Sequence, residues 1–92
     1  MRYRILSDWI EYQFIRRSGL FDPVFYLLYS PDVRRADIDP LMHYIKHGWK
    51  EGRDPSRSFS TSFYLDKYPD VRSAKINPLL PEIKMFIVTF LG

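Results

Sequence analysis

His43 and His47 stand four residues apart, a spacing that puts both imidazoles on one face of a helix and can hold Zn²⁺. No glutamate lies between them and no third ligand is evident, so a packed or surface histidine pair is favoured over a metal site. Asp32, Asp39 and Asp54 are carboxylates of the kind that bind calcium, but they do not follow the spacing of a compact calcium loop. The cluster richest in binding chemistry is His43, Tyr44, Trp49, Glu51 and Arg53. Aromatic faces beside bidentate polar groups suit a sugar or an acidic glycan. A structural reading competes and is stronger: Trp49 packs on a helix end while Glu51 and Arg53 hold the connector behind it. No catalytic dyad can be assembled without a pocket, so no catalytic residue, cofactor or metal is expected.

The elements that carry these residues are organised by an internal repeat. Positions 21–46 align without gaps onto 59–84 at a constant offset of 38, with fourteen of twenty-six positions identical. Phe25-Tyr26-Leu27 returns as Phe63-Tyr64-Leu65, and Pro31-Asp32-Val33-Arg34 returns as Pro69-Asp70-Val71-Arg72. Asp39-Pro40-Leu41 returns as Asn77-Pro78-Leu79. Phe21, Phe25, Leu27, Val33, Ile38, Leu41 and Ile45 keep apolar partners and are expected to form the repeated core. Leu28 and Tyr29 become Asp66 and Lys67, so that face tolerates water in one copy.

Helix punctuation recurs inside the repeat. Asp22-Pro23 and Asp39-Pro40 each place an N-cap acid before a proline at the first helical position, where a missing N–H costs nothing. Pro31 ends the first helix and opens a short turn capped by Ser30. The helix begun at Leu41 is expected to stop in a left-handed cap at Gly48, with Trp49 packing back. The connector runs through Gly52 and Pro55. Ahead of the repeats, Asp8 and Glu11 have capping-box spacing, Trp9, Ile10, Phe14 and Ile15 would face the repeats, and Gly19 is the stop.

The reading is therefore all-α: an N-terminal amphipathic helix (1–20), a first helical repeat (21–58), a partial second repeat (59–80) and a divergent apolar tail (81–92). The repeats should stack as helical hairpins, since one alone cannot bury its face. Pro81 and Glu82 replace His43 and Tyr44 in the second copy, and Pro81 should restart or kink the helix begun at Asn77. A truncation or frameshift is the first reading of the tail and a terminal cap the second. Its uncharged β-forming run, Met85 to Leu91, would favour self-association if exposed.

Bulk properties narrow the function classes. The 92 residues suffice for one small domain, and the absence of cysteine removes disulfides and thiolate metal sites. Two Trp, seven Tyr and seven Phe supply the core. Fourteen bases are interleaved with eleven acids, so the net charge of +3 reads as a solvated surface rather than a nucleic-acid track. Neither a signal peptide nor a transmembrane span is read, and a cytoplasmic location is expected.

Residues 18–80 closely resemble a bacterial repeat of the form FD..YYL..YPDV...G.DPL.HYL..GW.EGR.PS. The matching segments are Ser18 to Asp22, Phe25 to Leu27, Pro31 to Val33, Asp39 to Leu41, His43 to Ile45 and Gly48 to Ser56. That repeat occurs in large proteins carrying glycosyltransferase or rhamnan-synthesis-type domains for surface-polysaccharide assembly. The resemblance implies a non-catalytic scaffold or linker module, whose partners are neighbouring repeats or domains. Two alternatives stay open: a glycan-binding accessory module, and an inactive fragment of a glycosyltransferase.

Overall fold

A computed structural model describes the backbone of residues 3–81 and the side chains of residues 8–81. The chain is all-α. Helix α1 (Tyr3–Ser18) is followed by α2 (Pro23–Leu28), α3 (Pro31–Ala36) and α4 (Pro40–His43), the last continuing into a π-helical segment (Tyr44–Gly48). Then come α5 (Thr61–Lys67), α6 (Pro69–Ala74) and a helical turn at 79–81. Among the described residues no strand forms, and one isolated bridge joins Ser56 to Phe59.

The capping signals act as their chemistry requires. Asp22 accepts from the N–H of Phe25 at 3.1 Å, and Asp39 accepts from Leu41 and Met42 at 3.0 and 3.4 Å. In the second copy Ser60 replaces Asp22 and accepts from Phe63 at 3.3 Å, while Asn77 replaces Asp39 and accepts from Leu79 at 3.0 Å. Each is an orphan N–H satisfied at a helix start. Ser30 holds the cap position of α3 but its side chain makes no capping bond. Both α3 and α6 end on a left-handed residue, Asp37 and Lys75, with φ 57° in each case. The two copies thus bend the chain alike at positions 38 apart.

The core is centred on the first copy. Ile15, Tyr26, Val33, Leu41, Tyr44, Ile45, Trp49 and Leu79 form one buried cluster, with Tyr12, Leu20, Phe21, Leu27, Phe59 and Leu65 packed against it. Leu79 brings the second copy into the same core. The expected repeated core is corrected at two positions of the repeat. Phe25 is half-buried and Phe63 is 67 % exposed, whereas their neighbours Tyr26 and Tyr64 are buried. Tyr26 wins the interior because it is the ring enclosed by Phe21, His43 and Tyr44, at centroid distances of 5.2, 5.9 and 5.8 Å. Ile38 and Ile76 are exposed, each lying just past a left-handed turn and off the helix face.

Two further expectations about helix ends change. Helix α1 already runs through Asp8, so Asp8 is no cap. Of the four residues expected to face the repeats only Ile15 is buried; Trp9, Ile10 and Phe14 are exposed. Tyr12 makes the docking contact instead, donating its hydroxyl to Asp39 at 2.5 Å. Gly48 is not a left-handed cap. Among the described residues the left-handed glycines are Gly19, the expected stop of α1, and Gly52, four residues beyond Gly48. Gly48 serves for space: a Cβ there would collide with the Tyr26 hydroxyl. The expectations for the tail from residue 82 onward lie outside the described residues.

Candidate functional site

The π-helical segment widens the turn that carries the candidate residues, and the Trp49 N–H reaches back to the Tyr44 carbonyl at 3.1 Å. Trp49 is then only 7 % exposed, and its indole N–H donates to the Ile45 carbonyl at 2.9 Å. The ring packs back on the preceding turn, and its single donor is spent there. Tyr44 is fully buried; its hydroxyl meets Thr61 at 2.9 Å. Thr61 gives its only hydroxyl proton to the Arg53 carbonyl at 2.7 Å, so Tyr44 is the donor in that pair.

His43 and His47 lie side by side, ring centroids 5.5 Å apart. His43 Nδ1 is 2.8 Å from the Tyr26 hydroxyl. Burial, seconded by the nearby Arg53 charge, holds the His43 pKa below its ordinary value, so the neutral ring accepts from Tyr26. Burial pushes both Tyr26 and Tyr44 well above the ordinary tyrosine range, keeping them neutral donors. Among the described residues no group of three His, Cys, Asp or Glu side chains could hold a metal.

Arg53 forms the outer edge. Its two terminal nitrogens hold Asp32 in a bidentate pair at 2.9 and 2.8 Å, and its Nε donates to Glu51 at 2.8 Å. The Arg53 hydrogen bonds draw the Asp32 carboxyl far below the usual carboxylate range, and Asp32 in turn raises Arg53. This fork clamps the connector onto the first turn of α3.

The structure therefore gathers His43, Tyr44, Trp49, Glu51 and Arg53 into one region, turning the Tyr44 hydroxyl, the Trp49 indole N–H and His43 Nδ1 inward and leaving the Glu51–Arg53 pair at the outer edge. Sequence reasoning left out of the cluster four residues that complete it: Tyr26, Asp32 (weighed only for calcium), Gly48 (as a space-maker) and Thr61. The first two were visible in the repeat, since each returns unchanged as Tyr64 and Asp70. Thr61 had no such signal, because Pro23 stands at its counterpart.

Two shallow grooves lie at equivalent places in the two copies. The first, about 450 Å³, is lined by Leu27, Arg34, Asp37 and Asp39 among others. The second, about 620 Å³, is lined by Leu65, Arg72 and Lys75, the counterparts of Leu27, Arg34 and Asp37, together with Trp49 to Gly52 and Ser62. Among the described residues no helix is long and apolar enough to cross a membrane. The fold defines an all-α class with helical punctuation that recurs 38 residues apart. No protein-family model, curated protein or solved structure matches the chain.

Proposed function

We propose that this chain is a non-catalytic helical connector module, of the kind that holds domains together in bacterial glycosyltransferase or surface-polysaccharide assembly proteins. The context comes from the repeat that residues 18–80 resemble. The single observation that supports a connector role is the use made of the polar cluster. Tyr44, Arg53 and Asp54 of the first copy all bond Thr61 of the second, through the Tyr44 hydroxyl, the Arg53 carbonyl and the Asp54 carboxylate, which accepts from the Thr61 N–H at 2.9 Å. Asp22 reaches the same connector from the other side, donating its N–H to the Pro55 carbonyl at 2.9 Å. Of the candidate side chains, Tyr44 reaches the second copy, while His43, Trp49, Glu51 and Arg53 bond within the first.

A connector must hold a fixed geometry, and that is measurable. The chain has no cysteine, so Val24→Cys and Asp70→Cys would place two spin labels on exposed positions of α2 and α6. Pulsed dipolar spectroscopy should give one narrow distance distribution, unchanged by moderate salt. A broad or multimodal distribution would defeat the connector reading. The polysaccharide context has its own test: neighbouring genes for sugar transfer support it, and their absence counts against it.

A further inference from the structure

We infer that the groove between the two copies, walled by Trp49, Lys50, Glu51, Ser62, Arg72 and Lys75, binds an oligosaccharide bearing carboxylates. This rests on the glycan-binding alternative and not on the connector reading, and the two fail independently: one on distances, the other on affinity.

The two grooves carry opposite charge. The groove of the first copy sets one cation, Arg34, against two carboxylates, Asp37 and Asp39. Asp39 is also engaged, capping α4 and accepting from Tyr12. The groove of the second copy sets three cations, Lys50, Arg72 and Lys75, against the single carboxylate of Glu51. The reversal happens on one backbone. Asp37 and Lys75 share the same left-handed turn, with φ 57° and ψ 42° in one and φ 57° and ψ 48° in the other. The turn does not ask for the change of sign, since Asp and Lys adopt it alike, although a cation suits a helix C-terminus better than a carboxylate does.

The rest of the lining selects among anions. Lys50 is held with its ammonium 5.9 Å from the centroid of the Trp49 ring, so it is placed at the groove by a cation–π contact. Arg72 is braced by an ion pair with Asp66 and by the Leu65 carbonyl. Glu51 accepts from Arg53 through one oxygen, and Ser62 adds a hydroxyl. A bare polyanion gains nothing from Glu51 and is repelled by it. A ligand with both hydroxyls and carboxylates can donate to Glu51 and Ser62 while its acid groups meet Lys50 and Lys75. Leu65 and Gly52 provide an apolar floor for a sugar face.

The test is a titration of the whole chain with a galacturonic-acid hexamer, followed by NMR at the Trp49 indole and the Lys75 amide. Saturable binding that weakens several-fold between low and moderate salt is expected. Lys75→Asp, which installs the first copy's residue at a turn that already accepts Asp, should weaken binding at least tenfold and leave the circular dichroism unchanged. Lys50→Gln is the second variant, with a smaller loss in the same direction. The inference is overturned if the hexamer does not bind, if neutral maltohexaose or inorganic polyphosphate binds as tightly, or if both variants bind like the parent.

Discussion

The front halves of the two copies, α2–α3 and α5–α6, are near duplicates, yet their surroundings differ. Tyr26 is sealed in by Phe21, His43, Tyr44 and Gly48. Tyr64 sits between the rings of Phe59 and Tyr68, with centroids 5.3 and 4.6 Å away. The outward faces diverge as well: Val24, Leu28 and Tyr29 are exposed apolar residues, and Ser62, Asp66 and Lys67 replace them. Asp39 uses both carboxylate oxygens, one to cap α4 and one for Tyr12, whereas Asn77 Nδ2 is buried with no hydrogen-bond partner among the described residues. What the two helical pairs share is a side-chain cap on the first helix, a proline opening the second, a left-handed residue closing it and one inward tyrosine. The remainder of each copy is free to be a joint, a surface or a groove.

The largest effect should come from the buried ring. Tyr26→Ala is expected to cost about 3–5 kcal/mol in urea unfolding, a large share of the stability of a domain this size. Tyr64→Ala should cost clearly less; equal costs would erase the difference between the copies. Next comes the close approach at residue 48. Gly48→Ala should lose about 1–3 kcal/mol by overpacking against Tyr26. Gly52→Ala, with open space around it and only a left-handed backbone to strain, should lose about 1 kcal/mol. If Gly52 proves the more sensitive, the packing account of Gly48 is wrong.

The joint between copies comes third. Thr61→Val keeps the shape but leaves the Tyr44 hydroxyl and Arg53 carbonyl unpaired, at about 1–3 kcal/mol. Ser60→Ala removes a helix cap one residue away and should cost about 1 kcal/mol. A smaller effect is expected from pH. Because the folded pKa of His43 lies below the ordinary value of 6.5, the unfolded chain binds that proton more readily. Stability from this group is complete above 6.5 and declines as pH falls from there through the folded pKa. His43→Gln should flatten that part of the pH profile. Smallest of all, the double change Leu28→Asp and Tyr29→Lys, which gives the first copy the outward face of the second, should shift stability by no more than about 0.5 kcal/mol.

Features set by near neighbours in the chain were legible. Asp22, Asp39 and Asn77 cap where a short acceptor precedes proline, and Gly19 stops α1, because these bonds span only two to four residues. The choice of Tyr26 over Phe25 was not legible. Both are adjacent aromatics that recur, and the decision rests on His43 and on the space left by Gly48, more than sixteen residues away. The face of α1 was misjudged for the same reason. Trp9, Ile10 and Phe14 outnumber Tyr12 as apolar candidates, but the Asp39 carboxylate selects the hydroxyl. Of the candidate cluster, the run from His43 to Arg53 was readable, while Thr61 and the orientation of the side chains were not. The wide turn at Tyr44–Gly48 aims the polar atoms of Tyr44 and Trp49 inward, and nothing in residue spacing announces a π-helical segment.

The Tyr44–Thr61 contact uses unlike surfaces, the back of one unit against the front of its successor. A symmetric handshake would exhaust both participants and end in a pair. A contact between unlike ends would consume neither kind, but the second copy carries Glu82 where the first has Tyr44, so this tyrosine joint is made once and is not handed on.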